Sequence, residues 1–345
     1  MFSGLRRLGA GSLSLTLGVV LSLGLAGTAV SQDRLPTAVP SGTKLVVADQ
    51  NEALQTLMIA SGQQGQLAAA ATYANFLGGP SILEAFRAGA LNLATVGNTP
   101  PIQAHAAGEK ILIVAARLSS EADYQFAVRP GLKINSFEEF RGKRVAYGEG
   151  TGRQPFVLNA LKLAGLTKKD ITVVPLRAAD FPDAVRSGQV DIAALNEPHF
   201  SRYLADYADR GASSLPASET NRLPRGITYL YASAEALKNP AKAAAIRDFV
   251  IRWIAANRWA HTNPKEWVQA YYVKKQRLKE ADGLKIVESE GTATFPLLRT
   301  LIASQQALID VIYEAGDIRR PLDAKDEFDL RFDQVIESSA APATR

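Results

Sequence analysis

The chain has 345 residues, 47% of them hydrophobic and 21% charged, with a formal net charge of +5 and no cysteine. This length and composition are typical of a protein with two substantial cores, and a charge this mild, without basic runs, argues against nucleic-acid binding. The absence of cysteine excludes a disulfide framework, a thiolate metal site, a cysteine nucleophile and a lipid anchor attached through cysteine.

The first predicted element is a secretory signal peptide over residues 1–31. Arg6 and Arg7 precede the apolar run LSLTLGVVLSLGLAG, and small residues around Ala29 and Ser31 follow it. This is the order of the charged, apolar and cleavage regions of an export signal. The alternative is a membrane anchor, but the apolar run is shorter than the ~20 residues that a spanning helix needs. We therefore expect a mature protein without a lipid anchor, free in a bacterial periplasm.

Short apolar runs alternate with helical segments from residue 44 onward. The first set of predicted strands is 44–49, one within 68–77, 92–96 and 111–117. The second set is 124–128, 143–148, 171–176 and 190–196, and a strand at 226–233 returns the chain to the first set. Helices fill most of the intervals, including a short one at 136–141. The chain after residue 240 is predicted to be helical up to residue 316, with helices at 241–261 and 264–274. This alternation predicts the α/β class, with mostly parallel sheets covered by helices.

One corner of the chain occurs twice, as AFRAGALNLATVGNTPP at 85–101 and as AVRSGQVDIAALNEP at 184–198. Each copy runs from a helix end through a glycine turn and a short strand to a polar tip before a proline. The tips are Asn98 with Thr99, and Asn196 with Glu197. Such residues are also ordinary helix caps. Because α/β sheets bind ligands beyond the carboxyl ends of their strands, the two tips nevertheless predict a cleft between two lobes.

Two glycine-rich turns have a similar character. GGPS at 78–81 and EGTGR at 149–153 place small residues at helix starts, where backbone N–H groups favour a bound anion. Neither turn has the ending of a phosphate-binding P-loop, and the second misses the spacing of a dinucleotide site.

Catalytic and metal-binding patterns are absent from the sequence. His105, His199 and His261 lack metal-ligand spacing, and no G-x-S-x-G motif occurs. Trp253 and Trp259 lie on a long predicted helix whose apolar residues recur at helical spacing, so we assign them to the core. We therefore predict no catalytic residue, no metal and no cofactor.

Six motifs, taken in their order along the chain, resemble those of a known family. The motifs are FLGGPSILEAFRAG, VGNTPPIQAHAAG, FEEFRGKRVAYGEGTG, ALKLAGLTKKDI, AVRSGQVDIAALNEP and QQALIDVIYEAGDIRRPLD. Together, over roughly 44–336, they resemble the aliphatic-sulfonate, taurine and nitrate substrate-binding proteins of ABC importers. The resemblance implies a two-lobed periplasmic binding protein of the second type, with a ligand cleft between α/β lobes and two crossover segments as the hinge.

The resemblance also implies boundaries and partners. Lobe 1 would comprise 36–121 and 226–337, including C-terminal helices packed on that lobe, and lobe 2 would comprise 122–225. The implied function is capture of a small organic anion, best matched by an aliphatic or aryl sulfonate, and its delivery to the permease and ATPase of an inner-membrane ABC transporter. We expect a monomer that is not an enzyme.

Carried over position by position, the resemblance implies ligand contacts from strand ends and helix starts in both lobes. These contacts are Gln50, Gly79, Ser81, Asn98, Thr99, Thr151, Gly152, Arg153, Asn196 and Glu197. Arg117, at the end of its predicted strand, is a further candidate for the anion, with a surface or hinge salt bridge as the alternative.

Two departures from the family pattern bear on the ligand. Many relatives have Gly-Asp-Thr-Pro where this chain has Asn98, and Trp-Asp-Pro where it has Asn196 and Glu197. Loss of the first carboxylate weakens the case for a ligand with an ammonium group, such as taurine, although Glu197 could still serve. Taurine or nitrate binding on the same scaffold therefore remains open.

Two other function classes also remain open. Desulfinase-like and thiamin-pyrimidine-synthase-like enzymes share the fold, but the missing cysteine and the export signal disfavour them. A sensor partner that hands its ligand to a membrane receptor is not distinguished from a transport protein by the sequence.

Overall fold

The computed structural model describes residues 34–340, and the predicted signal peptide lies outside them. The strands are β1 Lys44–Gln50, β2 Ala70–Phe76, β3 Leu93–Val96, β4 Ile111–Ser119, β5 Gln125–Val128, β6 Arg144–Tyr147, β7 Thr172–Pro175, β8 Ile192–Leu195, β9 Ser213–Ser214, β10 Ile227–Ser233 and β11 Ala293–Thr294. The helices are α1 Ala53–Ala60, α2 Gly79–Arg87, α3 Thr99–Ala106, α4 Arg153–Leu163, α5 Phe181–Ser187, α6 His199–Tyr207, α7 Ala217–Thr220, α8 Ala234–Lys238, α9 Pro240–Thr262, α10 Pro264–Trp267, α11 Glu280–Ser289, α12 Ile302–Glu314 and α13 Asp333–Ala340. No helix within this part of the chain is long and apolar enough to cross a membrane.

The strands form two sheets. The first has the order β11-β4-β10-β3-β1-β2 and the second the order β7-β6-β8-β5-β9. Strand β1 runs parallel to β2 and β3, and β6 runs parallel to β7 and β8. Helices flank both sheets, so the predicted α/β class with mostly parallel sheets is confirmed.

Strands β5 and β10 run antiparallel to their neighbours. Each is the first strand after the chain passes from one sheet to the other. The start of β5 pairs with the carboxyl end of β8, through Gln125 and Leu195, so the chain enters the second sheet from the edge at which the parallel strands end. The antiparallel direction follows from this point of entry, and the same holds for β10 in the first sheet.

Two large hydrophobic cores lie beside the sheets, and the C-terminal helices divide between them. Helices α9 and α13 contribute Phe249, Trp253 and Val335 to the core of the first sheet. Helix α12 instead contributes Leu308 and Ile312, among others, to the core of the second sheet, where it packs against α4. The implied packing of every C-terminal helix on the first lobe is therefore wrong for α12. The lobe boundaries at 121/122 and 225/226 stay a prediction.

Several local predictions also differ from the structure. The predicted helix at 136–141 is a single 3₁₀ turn, Phe137–Phe140, because it is short and closed by Gly142, which has a φ of 73°. The predicted helix at 264–274 is α10 followed by a π-helix, Val268–Val273. Strand β11 interrupts the helical C-terminal part by pairing with β4, a long-range contact that has no local signal.

Candidate functional site

Two adjoining cavities lie where the carboxyl ends of the two sheets meet. They have volumes of about 380 and 510 Å³, within the range of small-molecule sites. Six residues line both cavities: Gly97, Arg117, Asn196, Glu197, Thr228 and Glu290. Residues of β4 and β10 belong to the first sheet, and Asn196 and Glu197 follow β8 of the second. The cavities are therefore bounded by both sheets.

Four of the sequence-predicted site residues line these cavities. Gln50 ends β1 and lines the smaller one, whereas Arg117, Asn196 and Glu197 line both. Arg117 lies opposite Thr228 in the β4–β10 pair, and its guanidinium is 3.6 Å from the Glu290 carboxylate. Arg117 is the one arginine or lysine among the described residues that line the two cavities.

Six other predicted residues lie outside the lining of both cavities: Gly79, Ser81, Asn98, Thr99, Thr151 and Gly152. A methyl group on Gly79 would lie 2.8 Å from Cγ of Pro100 in α3, closer than carbon atoms pack, and 3.5 Å from O of Gly150 in the second half of the molecule. Thr99 is fully buried, and the Thr151 hydroxyl donates to Gly148 O at 2.7 Å.

Three residues of this group, Ser81, Asn98 and Gly152, lie in other surroundings. Ser81 is exposed, and Asn98 and Gly152 border a separate pocket of about 30 Å³. A role of the six residues as ligand contacts stays a prediction.

Arg153, the remaining predicted contact, is directed into the second sheet. Its Nε donates to Ala194 O at 3.1 Å and a terminal N–H donates to Asn196 Oδ1 at 2.5 Å. The guanidinium lies 5.0 Å from the ring centre of Tyr124 and 5.5 Å from that of Phe181. Burial lowers the pKa of Arg153 from its ordinary value. The side chain lines neither cavity.

Two helix N-termini beside the cavities are capped by the protein's own carboxylates. Asp49 accepts from the N–H groups of Leu54 and Gln55 at 2.9 and 2.8 Å, at the start of α1. Glu197 accepts from N and Oγ of Ser201 at 3.3 and 2.9 Å, in the first turn of α6. These backbone amides of α1 and α6 are therefore already hydrogen-bonded within the protein.

The charge of the lining is mainly negative. Asp49, Asp123, Glu197 and Glu290 line one or both cavities, against Arg117 and His261. Burial raises the pKa of Glu197, and the negative charge of Glu290 adds to the shift. The Tyr272 hydroxyl donates to Glu290 at 2.7 Å. A bare anion in this site would meet one guanidinium and several carboxylates.

An aromatic wall completes the smaller cavity, formed by Trp253, Trp267, Tyr271 and Tyr272. Trp267 and Tyr271 are stacked, with ring centres 5.0 Å apart and planes 5° apart. Trp253 is buried as predicted and also lines the cavity, whereas the other three were missed. The clustered aromatic residues in WVQAYY at 267–272 were the available signal.

The histidines do not assemble a reactive centre. His105 pairs with Glu327, His261 lines the smaller cavity, and His199 lines neither cavity. Across residues 34–340, no three His, Asp or Glu side chains form a group that could hold a metal ion. The arrangement suits binding of a small molecule, with Arg117 for an anionic group and the rings for an apolar part.

Comparison with known proteins gives matches over most of the chain. The family model described as NMT1/THI5 like matches residues 78–266. A protein of Escherichia coli (strain K12) named as an aliphatic sulfonates-binding protein is 31% identical over 170 residues, which are 49% of this chain and 52% of that protein. A protein of Bacillus subtilis (strain 168) with the same name is 25% identical over 264 residues, 75% of this chain and 76% of that protein.

The fold matches solved structures as well. The alkanesulfonate-binding protein from Xanthomonas axonopodis pv. citri, bound to MOPS, superposes with a TM-score of 0.73. Its sequence identity is 23%, and the match covers 85% of this chain and 99% of that one. The chain thus has the two-lobed fold of periplasmic binding proteins.

Proposed function

The chain belongs to the NMT1/THI5-like family, and on this premise we propose that it is a periplasmic binding protein that delivers a small organic anion to an ABC importer. The best candidate ligand is an aliphatic or aryl sulfonate. The names of the E. coli and B. subtilis relatives support this substrate class. We further propose that the protein acts as a monomer without catalysis and that its partners are a permease and an ATPase of the inner membrane.

One observation carries the proposal: both sheets line the same cavities, through Arg117 on one side and Asn196 and Glu197 on the other. A ligand that contacts both sides favours the conformation in which the two sheets lie close together. A transporter that recognises this conformation would receive loaded protein selectively. Coupling between ligand binding and lobe closure is the physical basis of delivery.

The size and lining of the cavities favour an organic ligand over nitrate. Volumes of about 380 and 510 Å³ are typical of sites that hold organic molecules. The aromatic wall also supplies apolar surface that a small inorganic ion would leave unused. An alkyl or aryl group attached to the sulfonate would cover this wall.

A second candidate is an amino-sulfonate of the taurine type. Glu197 and Glu290 both line the two cavities. If the sulfonate of such a ligand binds Arg117, its ammonium group would therefore have carboxylate partners nearby. These two carboxylates partly replace the one that many relatives have at the position of Asn98. The aromatic wall also suits a cation, through its ring faces.

A thermal-shift screen followed by calorimetry tests the proposal. The compounds are alkyl and aryl sulfonates, taurine, sulfate, nitrate and carboxylates, with the protein lacking residues 1–31. A ligand at a hundredfold excess over its dissociation constant stabilises the folded state by ~2.7 kcal/mol, which is a readily measured shift. Failure of every sulfonate to bind, or chemical turnover of any compound, would overturn the proposal.

A further inference from the structure

The proposed function uses Asn196 as a lining residue but gives no role to Arg153, with which Asn196 forms a hydrogen-bonded pair. Asn196 follows β8 and lines both cavities. Arg153 begins α4, lines neither cavity and contacts Asn196. The guanidinium donates to Asn196 Oδ1 at 2.5 Å and to Ala194 O at 3.1 Å. The pair therefore connects a buried charge to a residue on the cavity surface.

The pair fixes the orientation of the Asn196 amide. Arginine carries only donors, so the group that faces it has to be the amide oxygen rather than the NH₂ group. The reversed amide would place two donors against each other. The NH₂ group consequently points away from Arg153, where Nδ2 donates one hydrogen to Glu197 O at 3.1 Å. Within residues 34–340 its second hydrogen has no partner.

Arg153 itself is held in place by four contacts of the second sheet. Its ring contacts with Tyr124 and Phe181 and its two hydrogen bonds leave the guanidinium little freedom. It is not among the residues that line either cavity. These contacts suit a residue that acts through Asn196 better than one that touches the ligand.

We propose that Asn196 donates an N–H hydrogen bond to the oxyanion of the ligand, and that Arg153 is the positioning residue that directs this donor. The inference rests on the proposed function, since it requires an anionic ligand in the cleft. In a lining with several carboxylates, a fixed neutral donor attracts an oxyanion without the desolvation cost of a second cation. By fixing this donor, Arg153 favours ligands that place a hydrogen-bond acceptor next to Asn196.

A double-mutant cycle measured by calorimetry with ethanesulfonate and benzenesulfonate tests the inference. Asn196→Ala is expected to weaken binding about tenfold or more, the effect of one hydrogen bond to a charged group. Arg153→Met is expected to cause a similar loss, and the double variant no more than the larger single loss. If the affinity loss of the double variant is instead the product of the two single losses, Arg153 contacts the ligand directly, and the inference is overturned.

Conservative variants and a matched control separate positioning from general damage to the fold. Arg153→Lys retains a charged donor and is expected to recover part of the affinity that Arg153→Met loses. Arg186→Met removes an arginine 5.8 Å from the Tyr207 ring, outside both cavities, and is expected to leave affinity unchanged. Equal losses with Lys and Met at 153 would contradict the proposed role.

A measurement on the unmodified protein covers the case in which variants do not fold. Addition of ethanesulfonate is expected to shift the side-chain NH₂ signals of Asn196 in ¹⁵N–¹H spectra. Unchanged signals at saturating ligand would overturn the inference while leaving the proposed function intact. Absence of any sulfonate binding to the unmodified protein would instead overturn the proposed function, and the inference with it.

Discussion

At the scale of single residues, we expect Arg117 to be the main attraction for an anion. It provides the guanidinium in a lining that otherwise carries mostly carboxylates. Arg117→Gln is expected to weaken sulfonate binding at least tenfold, about 1.4 kcal/mol, because no lysine or arginine among the described lining residues replaces it. Calorimetry measures the change, with the exposed Arg319→Gln as the control. Unchanged affinity would mean that Arg117 serves only its salt bridge with Glu290.

We expect Glu290 to distinguish between the two candidate classes of ligand. Its carboxylate lies 3.6 Å from Arg117 and accepts from Tyr272 at 2.7 Å. Glu290→Gln is expected to tighten binding of plain alkanesulfonates, because a repulsive charge is removed and Arg117 is released. The same substitution is expected to weaken binding of amino-sulfonates. Calorimetry on both classes gives the answer, and Glu288→Gln, on the exposed face of α11, is the control.

Equal changes for the two ligand classes would contradict a role for Glu290 in distinguishing them. The sequence did not single out this residue because it lies after α11, more than ninety positions from Glu197 along the chain. Gln50, Asn196 and Glu197 were singled out because they lie at strand ends, which can be predicted locally. Arg117 was singled out because its strand was predicted to end there, whereas β4 continues to Ser119. The aromatic wall and Glu290 depend on how the C-terminal helices pack, which no local pattern specifies.

At the scale of elements, Glu327 joins three segments through buried hydrogen bonds. Gln305 of α12 donates to its carboxylate at 2.7 Å, and His105 of α3 lies 3.2 Å from it. Burial raises the pKa of Glu327 from its ordinary value of 4.5 to about 7, and the negative charge of Asp326 adds to the shift. A carboxyl group with a raised folded-state pKa favours the folded protein when protonated and loses that advantage as the pH rises.

As the pH rises from about 4.5 to about 7, the free energy of unfolding of the unmodified protein is therefore expected to fall relative to that of the Glu327→Gln variant. The largest difference that such a shift allows is about 3 kcal/mol. Urea unfolding at several pH values measures it, and Glu337→Gln in α13 is the control. Parallel pH profiles for the two proteins would mean that Glu327 ionises as freely in the folded state as in the unfolded chain.

Element types were predicted well where the pattern was long or bounded by glycine and proline, as in β1, β8 and α9. Predictions were wrong where the outcome depended on tertiary contacts. Strand β11 exists because β4 offers an edge, and the π-helix at Val268–Val273 lies where Tyr271 and Tyr272 pack against α11. The glycines at 79, 150 and 152 were identified from sequence, but their close approach required both sheets in place.

At the scale of the whole molecule, α12 contacts both sheets. Near its start, Gln305 donates to Asn98 O at 3.2 Å and accepts from Tyr229 at 3.1 Å. Beyond its end, Asp317 accepts from Tyr147 at 2.5 Å, Gln154 at 2.7 Å and Lys168. This helix is thus attached to the first sheet at one end and to the second at the other.

Asp317→Asn is expected to loosen the second attachment. Amide hydrogen exchange in α12 should become faster, since an acceptor for Lys168 and Tyr147 loses its charge, while exchange in β1 should not change. Glu314→Gln breaks only the exposed pair with Lys162 and is the control. Unaltered exchange in α12 would show that apolar packing alone holds the helix.

The attachment of α12 limits how the two halves can move. The chain passes between the sheets after β4 and again after β9, and two such links by themselves would permit both bending and twisting. Helix α12 lies beside those links, with Leu308 bordering the same small pocket as Asp123 and Arg225. Attached at each end in this position, the helix resists twisting more than it resists a small bend. Opening should therefore be a rotation about a single axis, with the largest displacement on the side of the cleft farthest from α12, and a ligand would enter and leave there.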